Sequence, residues 1–155
     1  MKHLLCSAIA AVIILLSCKT NSTSNQTRPV MTTEETNSKQ TLAAVEKFNA
    51  AINKHDLNAV MNAMTDDCVF DNTNPPPDGT RFVGAEAVRA FWEKFFASNP
   101  DAVFETEEMF ATGNRCVVRW IYRKTRDGKP WHLRGVDIFK IRDGKLAEKL
   151  AYVKG

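Results

Sequence analysis

Histidine and cysteine are scarce in this chain of 155 residues, with three of the first and four of the second. His3, His55 and His132 lie far apart and no Cys-His pairing accompanies them, so the sequence offers no set of metal ligands. The seven glycines stand singly, and neither a glycine-rich phosphate loop nor a nucleophile elbow is formed. These absences remove the usual signatures of nucleotide cofactors and serine hydrolases, and no cofactor is expected. No apolar stretch reaches the roughly 20 residues that a helix needs to cross a bilayer. Charge of one sign is also lacking, since 21 lysines and arginines face 18 aspartates and glutamates. The small excess falls mainly before residue 41, so the rest carries no electrostatic footprint for nucleic acid.

What is present begins with a processing pattern. Lys2 and His3 form a basic start, Leu4 to Leu16 is almost wholly apolar, and Leu15-Leu16-Ser17-Cys18 closes the run with a small residue before a cysteine. This resembles the signal of bacterial lipoproteins, which implies removal of residues 1–17 and a lipid anchor (palmitate or a similar acyl chain) on Cys18. More than one chain is needed for stable attachment. An ordinary signal peptide cleaved near Ser17 is the alternative. Residues 18–40 are rich in Asn, Ser, Thr, Gln and Lys and have no aromatic side chain. They read as a flexible tether, whose span would be about 25 Å if it behaves as a random coil. The implied location is the cell envelope, at the outer membrane or facing the periplasm, because the lack of an acidic residue after Cys18 resembles the sorting pattern that avoids retention at the inner membrane of a Gram-negative host.

Residues 41–155 suit one domain. Leu42, Val45, Phe48 and Ile52 recur at helical spacing, and Asp56 is placed to cap a second helix carrying Leu57, Val60, Met61 and Met64. Cys68 to Phe70 reads as a strand, Asn74 to Gly79 as a loop, and Arg81 to Val83 as a second short strand. Val88, Phe91, Trp92, Phe95 and Phe96 make a helical stripe that Asn99-Pro100 ends. Three turn signals, Gly113-Asn114, Asp127-Gly128 and Asp143-Gly144, then divide the remainder into four strands. The expected class is α+β, with the helices first and an antiparallel meander after them.

The Asp-Gly turns allow the register to be counted. Tyr122 falls opposite Leu133, Trp120 opposite Gly135 and Val118 opposite Asp137; across the last hairpin, Phe139 falls opposite Glu148 and Asp137 opposite Leu150. One face is then nearly all apolar, with Asp137 and Glu148 its only carboxylates on the last three strands. Arg119, Arg123, His132, Arg134, Lys140, Lys145 and Lys149 fall on the wetter face. A carboxylate held in apolar surroundings pairs, binds a donor or raises its pKa, and a raised pKa would suit Asp137 to general acid/base chemistry. The bland alternative leaves Asp137 bonded to a backbone amide or Tyr152, with Glu148 at a wet rim. Gly135 leaves room over the Trp120 indole, and Asn72 either lines a pocket mouth or simply forms a turn.

The order of elements, together with Asp66-Asp67-Cys68-Val69-Phe70-Asp71-Asn72, Gly79-Thr80-Arg81-Phe82-Val83-Gly84 and Arg134-Gly135-Val136-Asp137-Ile138-Phe139, resembles a SnoaL-like domain of the nuclear transport factor 2-like superfamily over essentially all of residues 41–155. The resemblance implies a cone, three helices packed on a curved antiparallel sheet, with an interior cavity that hosts ligands or chemistry. The late-strand aspartate of its polyketide cyclases maps onto Asp137, and the base of its ketosteroid isomerases falls at Asn72. It further implies that Cys68 and Cys116 lie on non-neighbouring strands and stay unpaired. The expected occupant is a small hydrophobic or polycyclic molecule contacted by Trp92, Trp120, Tyr122, Asn72 and Glu148. Such a domain either isomerises, cyclises or hydrates its ligand or is a non-catalytic binding or scaffold module. A homodimer through the outer sheet face, with Val117, Ile121, Val136 and Ile138 offering apolar contact, is a further implication.

Overall fold

A computed structural model describes residues 31–154, so the expected signal segment and Cys18 lie outside the described residues. The first helix, α1 (Thr33–Asn53), starts well before the expected position near Thr41. Its start is fixed by a reciprocal cap: the Glu35 amide donates to Thr32 Oγ1 at 3.2 Å, and the Thr32 amide donates to Glu35 Oε2 at 2.8 Å. That backbone donor, with the Thr32 hydroxyl, lowers the Glu35 carboxyl pKa. The first turns are also tied to the sheet, because the Gly113 amide donates to Ser38 Oγ and the Thr41 hydroxyl donates to the Gly113 carbonyl, each at 2.9 Å. The stretch expected as tether up to residue 40 is therefore helical from Thr33.

Asp56 caps α2 (Leu57–Asn62) as anticipated, accepting from the Ala59 amide at 2.9 Å. This helix is shorter than expected, and Met64 instead opens β1 (Met64–Asp71). After β2 (Arg81–Val83) comes α3 (Ala85–Ser98), followed by β3 (Val103–Thr112), β4 (Arg115–Arg126), β5 (Lys129–Arg142) and β6 (Lys145–Val153). The sheet order is β2-β1-β6-β5-β4-β3. The meander is antiparallel as expected, but β1 runs parallel to β6. Cys68 and Cys116 are both free and buried, two strands that are not neighbours holding them apart.

Asp127 and Asp143 adopt φ of 52° and 53°, with Gly128 and Gly144 at 73° and 72°. Positive φ at both central residues is what these two-residue hairpins require. The β4–β5 register follows from it, including Val118 opposite Asp137 and Trp120 opposite Gly135. The β5–β6 register departs from the count. Ile141 faces Leu146, but Lys140 faces Glu148 and Asp137 faces Ala151. Ala147 is an extra residue, and such a bulge turns every later side chain to the opposite face.

The helices cover the inner face of the sheet. Phe48 meets Trp92 and Phe139 edge-on at centroid distances of 6.1 and 6.0 Å, while Trp92 stacks on Phe70 at 5.4 Å. Val45, Phe48, Val88, Cys116 and Phe139 are fully shielded from solvent. Asn53 imitates a strand, donating to the Phe104 carbonyl at 2.9 Å and accepting from its amide at 2.8 Å. It thereby fixes the end of α1 against β3.

Candidate functional site

Asp137 and Lys149 form the chemical centre of the inner face. Lys149 Nζ lies 2.7 Å from Asp137 Oδ2, with side-chain exposures of 6% and 7%. A salt bridge this deep is strongly affected by loss of either partner, since the survivor is then an uncompensated buried charge. The ammonium also stands over aromatic faces, 4.9 Å from the Phe70 centroid and 5.7 Å from that of Phe139, where the ring quadrupole favours a cation. The expectation of Lys149 on the wet face is overturned by the Ala147 bulge. The same bulge overturns the inward Glu148: its carboxylate faces outward and accepts from Arg115 Nη1 at 3.1 Å. Asp137 is inward as counted, but it has a counterion and is not one of a carboxylate pair.

Three buried polar atoms at this centre lack a protein partner: Asp137 Oδ1, Trp92 Nε1 and Trp120 Nε1. Such groups are rare in folded proteins, and each costs on the order of 1–3 kcal/mol when left unmade. Trp92, Trp120, Asp137 and Lys149 line one narrow cavity of about 20 Å³ with Asn49 and Thr106. Trp92, Trp120 and Lys149 also border a neighbouring cavity of about 100 Å³ that reaches Phe70, Asn72 and Tyr122. Together the two cavities set the Asp137–Lys149 pair, with Trp92 and Trp120, beside an aromatic chamber.

The remaining expected residues are found as follows. Tyr122 borders the chamber, but its hydroxyl is committed, donating to Asn99 Oδ1 at 3.1 Å; burial pushes its pKa up to about 12. Asn72 serves both readings at once, lining the chamber while its Oδ1 accepts from the Thr73 amide at 2.7 Å as a turn residue. Gly135 is required where it is, because a Cβ there would lie 2.3 Å from Trp120 Cζ2. His132 is exposed, and among the described residues no cluster of three His, Cys, Asp or Glu could hold a metal ion. Lys149 is the residue that the sequence reading missed. The only local signal is the small Ala147 two positions earlier, where an extra residue fits a bulge with little obstruction.

Wider hollows lie outside the cone. One of about 430 Å³ on the outer sheet face is lined by Glu107, Arg119, Arg134 and Tyr152. Its charges satisfy one another, Glu107 pairing with Arg134 and, at 3.6 Å, with Arg119. It lacks the unpartnered buried groups of the interior.

An unclosed sheet wrapped over three helices, with chemistry confined to its inner face, defines a nuclear transport factor 2-like cone. Residues 45–149 match the model of the SnoaL-like domain, and the chain belongs to that family. A nuclear transport factor 2-like protein of unknown function from Mesorhizobium loti is 35% identical, covering 76% of this chain and 93% of its own, with a TM-score of 0.66. A Sinorhizobium meliloti protein provisionally described as a polyketide cyclase is 23% identical, covering 71% and 94%, with a TM-score of 0.60. An epoxide hydrolase of the limonene-epoxide-hydrolase-like type from Mycobacterium tuberculosis is 18% identical, covering 76% and 84%, with a TM-score of 0.63. The last two share the fold. No curated protein sequence matches the chain significantly.

Proposed function

We propose that this SnoaL-like domain binds a small hydrophobic molecule in its aromatic chamber and isomerises, cyclises or hydrates it without a cofactor. Asp137 is the proton acceptor and donor, and Lys149 holds it in place. The observation that carries this reading is the unpartnered Asp137 Oδ1, buried next to a counterion that occupies only the other oxygen. A carboxylate so placed has a free basic oxygen and little water to compete for it. Relatives of the fold described as a polyketide cyclase and an epoxide hydrolase are consistent with proton-transfer chemistry in such a chamber. Mass spectrometry of ligand extracted from the purified protein identifies the compound to assay. Asp137→Asn then lowers turnover by about 10²- to 10⁴-fold, the usual range for a lost acid or base. Circular dichroism fixes the folded fraction, since Lys149 loses its counterion in this variant. Unchanged turnover per folded molecule overturns the assignment.

The cavity volumes of about 20 and 100 Å³ favour a second reading, because ligand pockets usually hold about 300–1,000 Å³. In it, side chains fill the cone and the domain is a non-catalytic binding or scaffold module of the envelope. Either form is tethered to a membrane through lipidated Cys18, faces the periplasm, and pairs with a second copy through the outer sheet face. Cys18→Ala is expected to move the protein from the membrane to the soluble fraction, and unchanged membrane recovery would refute the anchor.

A further inference from the structure

We infer that Lys149 is a nucleophile that forms a Schiff base with a small aldehyde or ketone carrying a single ring. The inference rests on the acid/base reading of Asp137 and extends it to the neighbouring amine. A buried lysine is the side chain suited to imine chemistry, and an amine nucleophile needs a base within about 2.6–3.2 Å. Lys149 Nζ meets that condition at 2.7 Å from Asp137 Oδ2. The product suits the site as well as the starting ammonium does. An iminium keeps the positive charge beside Asp137 and over the Phe70 and Phe139 rings, so no buried charge is created or lost.

The chemistry balances without any further reagent. Asp137 takes a proton from the Lys149 ammonium, and the freed lone pair attacks the carbonyl carbon. The C=O π pair moves to oxygen, which receives the proton and gives a carbinolamine. The hydroxyl then takes the second nitrogen-derived proton, relayed by Asp137, and leaves as water as the C=N bond forms. In total one ammonium and one carbonyl compound give one protonated imine and one water. In this scheme the carbonyl oxygen is met by the indole N–H groups of Trp92 and Trp120, which have no protein partner and belong to residues that line the same cavity as Lys149. A single ring is the upper limit of size, since the chamber of about 100 Å³ is smaller than the cavity of about 150 Å³ that accommodates benzene in another protein, and a ring enters this one only as the lining side chains shift.

The test uses the full chain with benzaldehyde and cyanoborohydride, which reduces any imine to a stable benzyl amine located by peptide mass spectrometry. Lys149 is expected to be benzylated at least about 100-fold faster than the exposed Lys145 and Lys154, a modest share of what orientation supplies. Benzyl alcohol, which has the ring and no carbonyl, should quench tryptophan fluorescence and protect Lys149 alone. Labelling of Lys149 no faster than that of Lys145 overturns the inference. If benzyl alcohol still binds in that case, the chamber and the acid/base reading survive. If neither compound perturbs the tryptophans and Lys149 is unlabelled, both readings fall together.

Discussion

Replacing Lys149 by methionine removes one charge from the pair and leaves the Asp137 carboxylate, with only 7% side-chain exposure, without a counterion. Uncompensated buried charges of this kind cost about 3–5 kcal/mol. At roughly 4 °C per kcal/mol for a domain of this size, the thermal midpoint should fall by about 12–20 °C. A Lys149→Met/Asp137→Leu double variant should recover most of the loss, because exchange of a buried pair for apolar groups is often neutral or stabilising. Glu148→Gln is the matched control. Its ion pair with Arg115 is partly exposed, at 46% for Arg115 and 25% for Glu148, so it should cost less than about 1 kcal/mol. Urea denaturation followed by circular dichroism gives all four values. A Lys149→Met cost below about 1 kcal/mol with a large cost for Glu148→Gln would refute the reasoning, since that order belongs to a β5–β6 ladder without the Ala147 bulge.

Gly135→Ala should destabilise the domain by at least the 1–3 kcal/mol of ordinary overpacking, because its Cβ meets both the Trp120 ring and the Tyr152 carbonyl at about 2.4 Å or less; thermal unfolding measures it, and a neutral result would mean that the indole lies elsewhere. Burial raises the Cys68 thiol pKa and pushes that of Cys116 from 9.0 up to about 11. The folded state therefore favours the neutral thiols, and this stabilisation is full below pH 9 and disappears as pH rises through about 11. The urea midpoint should fall across that window, and Cys116→Ala should flatten the decline while lowering stability overall. An unchanged slope in the variant would remove Cys116 as its cause.

Much of this fold is written locally. Asp56 caps α2, the apolar stripe from Val88 to Phe96 makes α3, and the Asp-Gly turns fix the β4–β5 register that aims Trp120 and Asp137 inward. These features depend on side-chain periodicity and on the φ preference of two turn residues, which neighbours in sequence suffice to set. The Thr32-x-x-Glu35 cap was equally legible, but the polar composition around it reads as tether, and the contacts that hold the first turns of α1 come from Gly113, about 75 positions away. The parallel pairing of β1 with β6 and the identity of the buried cation belong to tertiary structure alone. A bulge at Ala147 has no strong sequence signal, because one extra residue changes no residue's propensity. It takes its meaning from the partner strand, where the inserted residue exchanges Glu148 for Lys149 on the inner face and sets an ammonium beside Asp137. The sequence by itself determined that a carboxylate would face the cone; only the packed sheet decided what charge would meet it there.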